Sequence, residues 1–279
     1  MAGLLIAATL HAQPAPASGV VLPPPPVEAE WFTLPRPQHA WARHPVGAYR
    51  TLRVVTETFD DSGRFVARTE TEQTDRLVGV TAENYTLQTT VKLQVGAART
   101  PGQTEACSYR LLTDSATVVT SQVELEPAEL SIEGRTIRCR RFRISTEAGQ
   151  RTGTETVWYS PDVSPFVLRR DRSVAETPDS TPTEISETVT ELQMPLLEDD
   201  GVLETHFVRS VSQRPNGRVD RVEMRGDRVP GGLVSASSVE RDADGRRVRW
   251  SASEIVDFGS DGKSESAPRR WRLFHRRAE

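Results

Sequence analysis

Lysine is almost missing from this chain. Of its 35 basic residues only Lys92 and Lys263 are lysine, leaving 35 − 2 = 33 arginines. Such a bias follows from a GC-rich coding sequence and names no partner. Asp and Glu total 39 and the formal charge is −4, which excludes a global field drawing the whole protein to nucleic acid or an anionic membrane. Long apolar runs are scarce too. The one at Met1–Leu10 has the length of a signal-peptide core, is too short to span a bilayer, and leads into small residues with Ala12 or Ala17 as cleavage positions. No Lys or Arg precedes it, which departs from the signal-peptide pattern, and no Cys follows it, so the expectation is export without a lipid-modified N-terminus. Residues 1–17 are then a signal peptide, and the destination is the periplasm or the extracellular space. No later segment is apolar enough to cross a membrane.

The usual catalytic spacings are absent as well. The chain contains no G-x-S-x-G, no phosphate-cradling G-x-x-x-x-G-K-[ST], no G-x-G-x-x-G and no H-E-x-x-H. Its five histidines are His11, His39, His44, His206 and His275. His39 and His44 flank Trp41 with no Cys or carboxylate close by in sequence, so no metal site is expected. Nothing nominates a nucleophilic serine, no cofactor is implied, and the expectation is a protein that is not an enzyme. The acidic turns at Asp60-Asp61, Asp199-Asp200-Gly201, Asp242 to Gly245 and Asp257 to Asp261 lack the full cation-binding loop and read as plain turns. Asn84-Tyr85-Thr86 matches a glycosylation acceptor. Only two cysteines occur, Cys107 and Cys139. In an oxidising compartment they are a candidate disulfide closing a loop of 139 − 107 = 32 residues, worth about 3–4 kcal/mol in the chain-entropy model. The alternative is two separate thiols, one a buried small apolar residue.

What the chain does have is β-pattern. A hydrophobic content of 36% and a mean hydropathy of −0.48 fit sheets with one wet face. Gln13–Ala29, with Pro23 to Pro26, reads as an extended linker, and Trp31-Phe32 and Trp41 mark where the chain docks. From Tyr49 strands follow one another. Tyr49–Phe59 and Arg64–Asp75 flank the turn Asp60 to Gly63. In Tyr85–Val95, residues Tyr85, Leu87, Thr89, Val91, Leu93 and Val95 alternate with polar ones. A loop is expected over Ala97–Glu105, then strands at Val118–Leu125, Ile137–Ile144, Val157–Tyr159, Val167–Val174, Ile185–Met194, Leu203–Val211, Arg218–Met224, Leu233–Val239 and Arg247–Phe258. In the last, Val248, Trp250, Ala252, Val256 and Phe258 are expected on one face. Asn216-Gly217 and Asp244-Gly245 are two-residue hairpin signals. No helical periodicity longer than about two turns interrupts this run. About ten to thirteen antiparallel strands are predicted, in an all-β meander forming a curved sheet or incomplete barrel.

The chain is organised around Val157 to Arg170, which reads as strand, Pro-pinned turn, strand. A weaker copy follows at Val222 to Val234. Phe142 and Phe207, Val157 and Val222, Pro165 and Pro230, and Leu168 and Leu233 are each 65 apart (207 − 142 and so on), which predicts a duplicated C-terminal β-unit and one strand order for residues 137–192 and 202–258. The resulting division is 1–17 signal peptide, 18–44 Pro-rich linker and docking segment, 45–195 β-sheet domain, 196–262 partial β-repeat continuing the sheet, and 263–279 basic and aromatic tail. In that tail Arg269, Arg270, Trp271, Arg272, Leu273 and Phe274 interleave charge and rings. They read as an edge strand with Arg shielding the edge, or as a patch for phosphates or acidic polysaccharide.

Thr156-Val157-Trp158-Tyr159-Ser160-Pro161-Asp162-Val163-Ser164-Pro165-Phe166-Val167-Leu168-Arg169 resembles a signature of exported bacterial β-rich proteins of uncharacterised function. Val46 to Thr58 resembles the start of the same group. The sheet pattern is also similar to periplasmic lipoprotein carriers of the localisation-factor type, whose incomplete barrel holds acyl chains. The helices that plug those barrels have no counterpart in this sequence. The resemblance implies a non-catalytic exported binding or envelope-associated protein. A hydrophobic ligand or lipoprotein would lie on a concave apolar face built from Tyr85, Leu87, Val91, Leu93, Trp158, Phe166, Val248, Trp250 and Phe258, with Tyr85, Leu87, Val91, Trp158, Phe166 and Trp250 as the candidate ligand-binding residues. The alternative is a structural or interaction protein of the envelope in which the same residues form a closed core. Neither reading involves nucleic acid or an integral membrane segment.

Overall fold

The computed structural model describes residues 31–95, 98–100, 102–198, 201–260 and 263–265. The predicted signal peptide, the Pro-rich linker, and His275 with the aromatic tail lie outside the described residues. Among the described residues fifteen strands form one antiparallel sheet. In chain order they are β1 (Tyr49–Phe59), β2 (Phe65–Val80), β3 (Asn84–Val95), β4 (Ala98–Arg99), β5 (Gln103–Arg110), β6 (Val118–Ile132), β7 (Arg135–Ala148), β8 (Arg151–Tyr159), β9 (Val167–Ala175), β10 (Thr183–Glu198), β11 (Gly201–Arg214), β12 (Gly217–Gly226), β13 (Leu233–Asp242), β14 (Arg247–Ser260) and β15 (Lys263–Glu265). One 3-10 turn, Arg36–Gln38, is the only helical element among the described residues. None of them forms a helix long and apolar enough to cross a membrane.

The spatial order is β4-β3-β2-β1-β14-β13-β12-β11-β10-β9-β8-β7-β6, with β5 also on β3 and β15 on β14. The meander is therefore joined through its first and last long strands, β1 and β14. It is open between β5 and β6, which are consecutive in sequence but share no ladder. Paired residues stand on one face of a sheet, so a face can be followed around it. Phe142 faces Val157, Val157 faces Arg170, and Arg170 faces Glu187. Farther along, Val208 faces Glu223, Glu223 faces Ala236, Ala236 faces Ser253, and Ser253 faces Val54. The same face reaches Leu93 and Leu87 on β3. Phe142 and Leu87 are thus far apart along the sheet, yet they sit in one buried cluster with Ile144, Val157, Tyr159, Leu77 and Tyr85. The sheet curls until its two ends face each other.

The docking segment fills the space between those ends. Leu34, Trp41 and Ala42 are buried in that cluster, and Trp31 and Phe32 pack against it. Phe32 stacks on Phe142 at 4.3 Å between centroids, the Tyr159 hydroxyl donates to Gln38 Oε1 at 2.7 Å, and Gln122 Nε2 donates to the Phe32 carbonyl at 3.2 Å. On the other side Gly231 N–H donates to the Ala40 carbonyl at 3.0 Å. A Cβ on Gly231 would come within 2.5 Å of the Trp41 ring, and its φ is +73°, so only glycine fits there.

A second cluster joins the tip of the β6–β7 hairpin (Leu130, Ile132, Ile137, Cys139) to Trp158, Leu168, Val189, Leu192 and Val208. A third holds Leu52, Leu203, Met224, Leu233, Ile255 and Phe258. All three leave the far ends of the long strands wet. On β3 Tyr85 and Leu87 are buried, while Val91 is 37% exposed.

The four-strand order β7-β8-β9-β10 is repeated in β11-β12-β13-β14, as expected. The register, however, repeats at 66. Phe142 faces Val157 as Val208 faces Glu223, Trp158 faces Arg169 as Met224 faces Ser235, and Arg172 faces Ile185 as Ser238 faces Ser251 (208 − 142 = 66 in the first). Because side chains alternate with period two, the offset of 65 equates residues on opposite faces. Val157 is fully buried, whereas Val222 is 47% exposed. The expected boundary at 195/196 falls inside β10, so the second unit continues the sheet without a break.

Candidate functional site

Charged side chains line much of the inward face. Arg170 is 6% exposed and reaches Glu155 at 2.8 Å, the Leu112 carbonyl at 2.7 Å and Asp114 Oδ2 at 3.3 Å. Arg172 also meets Glu155, at 3.1 Å. Asp114, at φ 50° in the connection between β5 and β6, receives His39 Nε2 at 2.8 Å and the Tyr85 hydroxyl at 3.0 Å on its other oxygen. His39 Nδ1 accepts the backbone N–H groups of Trp41 and Ala42, each at 3.1 Å. That acceptor role leaves the proton on Nε2, so His39 ties the docking segment to the gap as a donor. Burial alone would raise the Asp114 carboxyl, but His39 and then Arg170 and Arg172 outweigh it and hold it well below the usual range. Tyr85 is kept protonated by burial and by Asp114.

Two similar sets continue the lattice. Arg50 pairs with Asp75 at 3.1 Å, which also accepts Gln73 Nε2 at 2.9 Å and Thr89 Oγ1 at 2.8 Å. Glu223 is bracketed by Arg221 and Arg225, and Arg225 also meets Glu187 at 3.3 Å.

Above this lattice the hairpin tips form a rim cleft of about 160 Å³, walled by Arg135, Asp162, Val163, Ser164, Leu192, Gln193, Glu204, Thr205, His206 and Asp227. The Ser164 hydroxyl donates to Asp227 Oδ2 at 2.6 Å, and Arg43 meets the same oxygen at 3.0 Å. The loop after β8, the loop after β12 and the docking segment therefore meet at one carboxylate. Gln193 has φ 54° within an irregular stretch of β10, a conformation uncommon for a residue with a side chain. His206 is 8% exposed; its ring also lines a smaller cavity beneath, between Arg170, Glu187 and Arg225. Burial, and next the Arg225 charge, lowers His206 to about 4, and His44 is lowered to about 4 chiefly by burial. Both rings are neutral at pH 7. Among the described residues no group of three or more His, Cys, Asp or Glu could hold a metal ion.

The candidate ligand-binding residues do not all come together. Tyr85 and Leu87 lie in the first cluster with Phe166 packed against it, Trp158 lies in the second, and Phe258 in the third. Val91 is exposed; Leu93, Val248 and Trp250 are half-buried. Trp250 and Phe258 do not share a face. Trp250 pairs with Glu57 and Phe258 with Arg50, across a register shift at Thr51/Leu52 that turns the strand over. Cys107 and Cys139 are free thiols. Cys107 stands opposite Leu87 on the sheet edge, and Cys139 is 1% exposed in the second cluster, its thiol pushed up to about 11 by burial.

Asp114, Glu155, Arg170 and Asp227 were not legible as a site. The available signal was a charge at an inward position of an alternating strand, as in Leu168–Arg170 and Glu155–Val157.

No known protein family matches the chain, and none of the curated proteins does. One solved structure, a protein of Bacteroides fragilis inferred to be exported and described as having a YmcC-like fold, aligns over 76% of this chain and 96% of its own at 9% identity and a TM-score of 0.30. A likeness that low carries no argument about fold or function.

Proposed function

We propose that this is an exported, non-catalytic, envelope-associated protein built as a filled β-scaffold that acts through its surface. The observation that supports this best is the docking segment. Leu34, Trp41 and Ala42 occupy the space between the sheet ends, where a carrier of the localisation-factor type would hold an acyl chain. The inward face beyond is a lattice of ion pairs, and desolvating those for an apolar ligand would be costly. Of the two readings drawn from the sequence, the closed core is favoured over the hydrophobic-ligand carrier. Organic extraction of protein purified from its native host, followed by mass spectrometry, tests this. No stoichiometric lipid is expected, and one acyl-chain ligand per protein would restore the carrier reading. Export is tested by N-terminal sequencing of the same material: a start after Ala12 or Ala17 is expected, and a start at Met1 overturns it.

A further inference from the structure

We propose that the rim cleft is a recognition site for a compact zwitterion of the α-amino-acid class, with its carboxylate toward Arg135 and its ammonium toward Asp162, Glu204 and the ring of His206. This goes beyond the scaffold reading, which concerns the interior.

Three observations carry it. The first is size. A volume of about 160 Å³ is room for about five waters at ~30 Å³ each and lies below the range of drug-sized ligands, so the occupant is small. The second is unspent charge of both signs. Among the described residues most charged walls of this protein are paired, as Asp227 is with Arg43 and Ser164. Arg135, Asp162 and Glu204 line the same cleft, and the structure gives them neither an ion pair nor a side-chain hydrogen bond. The third is His206, more than nine-tenths buried, lining the cleft and making no side-chain hydrogen bond. Its ring nitrogens stay open to solvent, and a neutral imidazole offers an acceptor there to an N–H donor. Ser164, Gln193 and Thr205 add polar groups around it. A purely cationic ligand would leave Arg135 unanswered, and a purely anionic one would face Asp162, Glu204 and Asp227.

The test compares three probes of nearly one shape: L-alanine, alaninamide (the ammonium alone) and N-acetylalanine (the carboxylate alone). Binding to the full mature chain is followed by NMR through the amide signals of Ser164, Gln193 and Thr205 and the ring signals of His206. L-Alanine is expected to bind about tenfold more tightly than either half-probe. Arg135→Gln should abolish the preference over alaninamide. Asp162→Asn together with Glu204→Gln should abolish the preference over N-acetylalanine. Each variant should melt as the parent does, since these side chains are exposed and make no ion pair or side-chain hydrogen bond in the fold. His206→Gln, which retains an acceptor, should weaken L-alanine less than His206→Leu. Equal binding of a half-probe, preferences unmoved by these variants, or rim signals unmoved by all three probes at concentrations on the order of ten millimolar would each overturn the proposal. None of those results would bear on the filled interior.

Discussion

At His206 the fold holds an imidazole neutral, and the consequence can be read in pH. Its pKa is about 4 in the folded protein against ~6.5 in the unfolded chain. Above the unfolded value neither state is protonated and the full stability is present. As pH falls from ~6.5 toward ~4 the unfolded chain takes up the proton first, and His206 contributes a decline on the order of 3 kcal/mol, to which His44, lowered to the same value, adds its own. Urea melts at pH 7.5, 6 and 4.5 should show that decline, and His206→Gln should roughly halve it, the remainder belonging to His44. Below ~pH 4 a second loss is expected. Glu223 and Asp227 are held low by their arginine partners and, for Asp227, the Ser164 hydroxyl, against the opposing effect of burial. Their stabilisation disappears as protons reach them. Trp158 makes a contrasting case. It is 9% exposed, with the Arg169 guanidinium 4.8 Å over its ring, and Trp158→Ala should cost about 3–5 kcal/mol. The turn it precedes is not tightened by a side-chain hydrogen bond from Asp162. The bond that crosses that turn is Ser160 N–H to the Phe166 carbonyl at 2.8 Å, and the side-chain anchor is Asp227 in the loop after β12. Asp162 is exposed, so Asp162→Ala should lie within about 0.5 kcal/mol of the parent in denaturant melts.

Among the elements, the docking segment is where substitutions should separate packing from charge. Gly231→Ala sets a methyl against Trp41 and forces φ +73° on a residue with a side chain. It should cost more than about 1 kcal/mol and speed proteolysis within residues 31–44. Arg170→Met removes the partner of Glu155 and Asp114 while keeping a long side chain, and should cost about 3–5 kcal/mol. Much at this scale was legible in the sequence. β1 begins and ends where Thr- and Val-rich alternation placed it. The turns at Asp60–Gly63, Asn216-Gly217 and Asp244-Gly245 all connect neighbouring strands, because glycine after a short polar residue is a local signal. What was not legible depends on non-local facts. No strand was expected over β5, since Gln103 to Glu105 carry no apolar alternation and pair only because Val91 and Thr89 lie opposite. Trp250 and Phe258 were placed together because a bulge leaves no mark in an alternating pattern. The offset of 65 matched identical letters, whereas the ladders repeat at 66, where unlike letters such as Val157 and Glu223 occupy matching positions. The charge lattice was hidden for a related reason: a buried arginine differs from a surface one only in what faces it.

On the scale of the whole molecule, the curled sheet explains why a chain of modest hydrophobicity can enclose a core at all. Three apolar clusters occupy one end of the long strands, and Ser, Thr and charged residues clothe the rest. The open edge at β6 carries Glu124, Glu126, Pro127 and Glu129, residue types that discourage edge-to-edge pairing. The ladder between β1 and β14 has a further consequence for how the protein comes into being. Tyr49 stands opposite Gly259 and Val54 opposite Ser253, so the seam that makes the sheet continuous joins residues from opposite ends of the strand run, and such distant pairing forms slowly. During synthesis β1 emerges early and waits, with one row of backbone N–H and C=O groups uncovered, until the final long strand arrives. A nascent chain halted before Arg247 therefore presents a sticky strand to its neighbours, and the cell has a reason to keep this polypeptide shielded until its last strand is released.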